Sequence, residues 1–220
     1  MQRFMRDNGL SITLFGLFAI CIVGQAVAGW RAQIEELRSH SLPLIGFMDY
    51  LTTGHFLSAT FENWESEFLQ MGAFVVLTVF LHQKGSPESK KLGEPEPEDE
   101  DPAAHADDPK APWPVRKGGI VLRLYAHSLS ITMFLLFVLS FGLHAASSAA
   151  KASEEAAWHG DGPVGLVENL GNAEFWFESF QNWQSEFLSM AALALLAIYL
   201  RERGSPESKP VAAPHGATGR

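Results

Sequence analysis

The chain has 220 residues, enough for one ordinary domain or one small membrane bundle. Its 16 Lys+Arg against 25 Asp+Glu, a net charge of −9, exclude the basic face that nucleic-acid binding requires. The single cysteine, Cys21, excludes an intramolecular disulfide framework and a cysteine-rich metal site.

A mean hydropathy of +0.04 conceals two unlike materials, because very apolar blocks alternate with strongly polar ones. Residues 10–30 carry no charged side chain. At 1.5 Å per residue that block matches a hydrocarbon core about 30 Å thick. A secretory signal is the competing reading. Arg3 and Arg6 supply a basic start, and Ala26-Val27-Ala28 resembles a cleavage site. A lipoprotein signal is disfavoured, because Ile20 is too large beside Cys21. The block at 124–150 is equally apolar and lies mid-chain, where no signal peptide can sit. Two shorter uncharged blocks, 68–81 and 187–200, hold 14 residues each. That length alone fits a buried soluble helix as readily as a span.

An internal duplication ranks these short blocks with the long ones. Shifted by 119 residues, Leu10-Ser11-Ile12-Thr13 falls on Leu129-Ser130-Ile131-Thr132. At the same shift Phe-Glu-Asn-Trp-Glu-Ser-Glu-Phe-Leu-Gln-Met at 61–71 falls on Phe-Gln-Asn-Trp-Gln-Ser-Glu-Phe-Leu-Ser-Met at 180–190. Gly-Ser-Pro-Glu-Ser-Lys at 85–90 recurs unchanged at 204–209, and 17 of the 30 positions from Phe61 to Lys90 are identical. The sequence therefore predicts an all-α membrane protein of four transmembrane helices, arranged as two tandem hairpins of the same orientation. Repeat one covers 1–90, with spans at about 9–30 and 63–83. Repeat two covers 119–209, with spans at about 122–148 and 182–202. The acidic, proline-rich joint 91–118 and the tail 210–220 have no apolar face to bury, so both are expected to be disordered.

Basic residues set the expected orientation. The side holding the termini and the joint carries thirteen Lys and Arg, including Arg220. The side holding loops 31–60 and 151–179 has only Arg31, Arg38 and Lys151. Both termini are thus expected in the cytoplasm, and the lipid bilayer is the first expected partner.

The repeated polar motif then falls at membrane depth. On a helix Asn63, Ser66, Glu67 and Gln70 share a face, matched by Asn182, Ser185, Glu186 and Ser189. That face is expected to turn inward, since a carboxylate facing lipid costs about 3 kcal/mol. Gln25 is expected to pair with Glu67, and its copy His144 with Glu186. The candidate polar cluster is therefore Gln25, Asn63, Glu67, Gln70, His144, Asn182 and Glu186. Trp64 and Trp183 are expected as interfacial anchors. Gly24 with Ala28, and Ala191, Ala194 and Ala197, are expected to bring helices close. Gly85-Ser-Pro-Glu-Ser-Lys90 reads as a helix stop. Eight histidines without metal-ligand spacing predict no metal site. No nucleotide or nucleophile fingerprint occurs, so no cofactor, catalytic residue or enzymatic activity is expected.

With Gly24-Gln25-Ala26 and Gly54-His55-Phe56 before it and Gly85-Ser-Pro-Glu-Ser after it, the 61–71 element resembles uncharacterised bacterial integral-membrane proteins grouped as a domain of unknown function. The resemblance implies a four-span protein of the bacterial cytoplasmic (inner) membrane and supplies no catalytic residues. Copy two departs from it at His144 and lacks the Gly-His-Phe element. The function expected is that of a non-enzymatic structural or accessory membrane protein, as a homo-oligomer or with an unidentified membrane partner. The alternative is a small proton- or cation-coupled transporter or channel that uses Glu67 and Glu186.

Overall fold

A computed structural model describes residues 2–219; Met1 and Arg220 lie outside the described residues. Those residues form helices and turns, with no strand among them. In chain order the helices are α1 (Gln2–Asp7), α2 (Gly9–Ser39), α3 (Phe47–Tyr50), α4 (Gly54–Phe80), α5 (Trp113–Lys117), α6 (Gly119–Ala126), α7 (Ser128–Trp158), α8 (Leu166–Leu170) and α9 (Ala173–Tyr199). Two of them, α2 and α7, are long and apolar enough to cross a membrane. Helix α2 extends well past the predicted limit at 30, and α4 and α9 begin nine residues before the predicted 63 and 182. The α2 extension is polar, whereas those of α4 and α9 mix aromatic and aliphatic residues with Ser and Glu, so none of the three adds to an uncharged block, and none contains a proline.

The chain divides into two compact units. One comprises residues 1–61 and 142–175, the other 62–141 and 176–220.

In the first unit the close approaches are made by glycine. The amide of Gly54 opens α4 and donates to Glu154 Oε1 at 3.0 Å, placing an anion at the positive end of a long helix. A Cβ on Gly54 would stand 2.2 Å from the backbone nitrogen of Lys151, so only glycine lets these two backbones meet. Gly29 likewise makes room for the buried ring of Tyr50. The expected contact at Gly24 is not there: a Cβ at that position would meet nothing within 4 Å, and Ala28 is exposed. Small size on a lipid-like face does not say which small residue faces a neighbour. The loop between α7 and α8 is pinned by Ser153, which accepts from the Val164 amide at 2.9 Å. Buried Asn169 donates to Ser148 at 3.1 Å.

In the second unit the repeated Gly-Ser-Pro-Glu-Ser-Lys segment folds alike both times. Gly85 and Gly204 take φ of +88° and +87° in matching left-handed turns, each five residues after its helix has ended, at Phe80 and Tyr199. The Gln83 amide donates to Ser89 Oγ at 2.9 Å, and the Glu202 amide to Ser208 Oγ at 2.9 Å. The tail from 210, expected to be disordered, takes defined turns through residue 219. Buried Lys209 donates to the carbonyls of Pro214, His215 and Ala217. Gly85 donates to Thr218 Oγ1 at 2.9 Å, and the Gly219 amide to the Ser86 carbonyl at 3.0 Å. These contacts join backbone carbonyls and amides to the Lys209 and Thr218 side chains. The joint also takes defined turns, at Pro97–Asp99, Pro102–His105 and α5. Lys90 pairs with Asp99 at 2.6 Å and holds that carboxyl below the usual carboxylate range.

Candidate functional site

The side chains invert the arrangement of a water-soluble fold. Along α2, α7 and α9 the large apolar residues point outward: Phe15 is 74% exposed, Ile20 70%, Leu135 64% and Leu188 65%. The residues buried along the long helices are largely polar, among them Gln33, Ser58, Thr60, Glu65, Ser66, Gln70, Ser140 and His144.

In the second unit the polar interior is a carboxylate cluster carried by α4 and α9. A carboxylate oxygen of Glu62 lies within 4.8 Å of one of Glu178. Asn182 donates its amide to Glu62 Oε1 in a short contact. Fully buried Glu65 accepts from the Trp183 indole at 3.1 Å. Trp183, expected as an interfacial anchor, therefore has its N–H committed to a buried carboxylate, while Trp64 is half-buried. Two carboxylate oxygens this close are near enough to serve as ligands to one cation.

The sequence-nominated residues distribute unevenly. Ser66 and Gln70 are buried, whereas Asn63 and Glu67 are exposed. Asn182 and Glu186 are half-buried, and Glu186 lies within electrostatic range of Glu67. Gln25 has a partner that the sequence did not nominate, donating to Thr60 Oγ1 at 3.1 Å. His144 is fully buried and stacks on Phe175 with ring centroids 4.8 Å apart. Glu62, Glu65 and Glu178 were missed. Glu62 and Glu65 face Gln181 and Gln184 in the repeat, so the duplication drew attention to the invariant Glu67 and Glu186 instead.

The first unit holds a second cluster, outside the predicted spans. The Tyr50 hydroxyl and His55 Nδ1 are 3.0 Å apart, and Tyr50 is 1% exposed. Burial pushes the His55 imidazole below its usual range and Lys151 adds to the shift, while Glu36 and Glu154 oppose it. Burial raises the Tyr50 phenol. The Gly-His-Phe triplet was the sequence signal for this cluster.

What these features define is an all-helical chain with two helices of membrane-crossing length and a polar interior. The family model described as Domain of unknown function (DUF6766) matches residues 1–220, and the chain belongs to that family. No curated protein and no solved structure matches it.

Proposed function

We propose that this chain is a four-span protein of the bacterial cytoplasmic membrane, built from two tandem hairpins with both termini cytoplasmic, and that it serves as a non-enzymatic structural or accessory component. The observation that carries the reading is the inversion of polarity, with apolar side chains outward and polar ones inside. In water that arrangement exposes apolar surface without gain, whereas in a bilayer the apolar faces meet lipid and the polar groups satisfy one another. Two features support four spans rather than two. Helices α4 and α9 are 27 residues each, about 40 Å at 1.5 Å per residue, longer than a core of about 30 Å. Helix bounds also recur in pairs: α2 and α7 both have 31 residues, α4 and α9 both 27, in keeping with a tandem repeat.

The accessory role is tested by purification from membranes in mild detergent. A stoichiometric membrane partner or a homo-oligomer supports it; a monodisperse monomer from native membranes with nothing attached contradicts it. The Glu62–Glu178 pair favours a second reading, proton- or cation-coupled transport. In proteoliposomes, Glu62→Gln with Glu178→Gln abolishes ion-dependent flux on this reading, and the absence of flux in the unaltered protein rejects it.

A further inference from the structure

Residues 110–126 carry Lys110, Arg116, Lys117 and Arg123 and no Asp or Glu, in a chain of net charge −9. Eight residues separate them from the acidic stretch 94–101 upstream, and Asp107 and Asp108 stand just before Lys110. Consecutive glycines in left-handed conformation, Gly118 at φ +66° and Gly119 at φ +61°, break the segment into α5 and α6. Val115 is buried and holds α5 in place, but the large apolar residues around it are not covered. Trp113 is 58% exposed, Ile120 74% and Leu124 58%. Arg116, Lys117 and Arg123 are exposed with them, and the Lys117 ammonium stands 4.9 Å over the Trp113 ring. Only His127 separates α6 from α7, one of the two helices of membrane-crossing length.

We propose that residues 110–126 are an interfacial anchor that binds anionic phospholipid headgroups. Two features fix the occupant. Cationic and aromatic side chains are exposed together, the pairing that seats a segment at the headgroup level. The segment also enters a membrane-length helix within one residue, so its basic groups lie where headgroup phosphates lie. The acidic stretch 94–101 is repelled by the same surface, which holds one half of the joint in water and the other on the membrane. Each basic side chain strengthens attraction to an anionic surface about fivefold, so neutralising three weakens it about a hundredfold. This inference rests on the membrane reading above.

The test uses the full chain with Cys21→Ala and a bimane label attached through Ile120→Cys, reconstituted into vesicles of phosphatidylcholine with or without phosphatidylglycerol. Quenching by brominated lipid measures insertion. The anchor predicts quenching that rises with phosphatidylglycerol and falls in about 1 M salt, where charges are screened within about 3 Å. It also predicts loss of that rise in Arg116→Gln, Lys117→Gln, Arg123→Gln and its retention in Arg116→Lys, Arg123→Lys. Quenching that is equal in both vesicles and indifferent to salt overturns the anchor. If soluble polyglutamate shields the label and phosphatidylglycerol does not, the partner is an acidic protein and the lipid assignment falls. Flotation separates the two failures: protein that does not float with the vesicles overturns the membrane reading itself, whereas protein that floats without lipid-dependent quenching overturns only the anchor.

Discussion

His55 sits in the first turn of α4, where burial, and after it Lys151, disfavour a second ring proton more than Glu36 and Glu154 favour it. The folded state therefore binds fewer protons than the unfolded one in the interval below the ordinary histidine value of about 6.5. The resulting stability is fully present above that value and is lost as pH falls from it toward the folded value. Thermal unfolding in detergent between about pH 8 and pH 5 is predicted to show this decline. His55→Gln, which does not titrate, is predicted to flatten it, and an unchanged slope in that variant removes His55 as its source. Gly29→Ala acts on the same contact, since the new methyl carbon would lie 2.2 Å from the Tyr50 hydroxyl oxygen. Displacing a buried ring is predicted to cost about 1–3 kcal/mol. A melting temperature equal to that of the unaltered protein contradicts it. None of this was legible in residue type: the Gly54-His55-Phe56 triplet stood out only as a motif, and its partners come from α3 and from Lys151 and Glu154, far along the chain.

Elements were more legible than contacts. Apolar block length located the cores of α2 and α7; the two shorter blocks, ranked as spans on the duplication, lie within the helices α4 and α9. Helix ends were less legible, because the helices run on past the uncharged blocks into segments where charged and polar residues are interspersed. The inward face of α4 was read only in part. Polar residues at 62, 63, 65, 66, 67 and 70 wrap most of the helix circumference, so periodicity leaves the buried arc undetermined. Packing selects Glu65, Ser66 and Gln70 and leaves Glu67 exposed. The two Gly-Ser-Pro-Glu-Ser-Lys turns give a matched pair for experiment. Alanine at Gly85 or Gly204 meets the same left-handed backbone, a cost of about 1 kcal/mol. Only at Gly85 would the Cβ also meet the His215 carbonyl, at 2.7 Å. Gly85→Ala is therefore predicted to destabilise more than Gly204→Ala and to expose the tail to proteolysis, as read by limited digestion. Equal effects at the two positions would show that the tail contributes nothing there.

At the scale of the whole molecule the surrounding solvent decides which side chains belong outside. Water rewards burial of Phe15, Ile20, Leu135 and Leu188, yet these side chains are exposed. A bilayer charges nothing for that exposure and instead penalises polar groups left facing lipid. The carboxylates of Glu62, Glu65 and Glu178 are accordingly committed to Asn182, Trp183 and each other. Alternation of apolar and polar blocks made the two helices of membrane-crossing length legible in the sequence. The polar interior was not, because it depends on which faces of separate helices meet. The most direct measurement is single-cysteine labelling in spheroplasts with a membrane-impermeant maleimide, in a Cys21→Ser background. Cysteines placed in the joint at 95–100 are predicted to react only after lysis, and those placed at 42–45 and 161–164 to react in intact spheroplasts. Labelling of the joint from outside, or equal labelling of all three segments in a soluble fraction, would contradict the four-span arrangement.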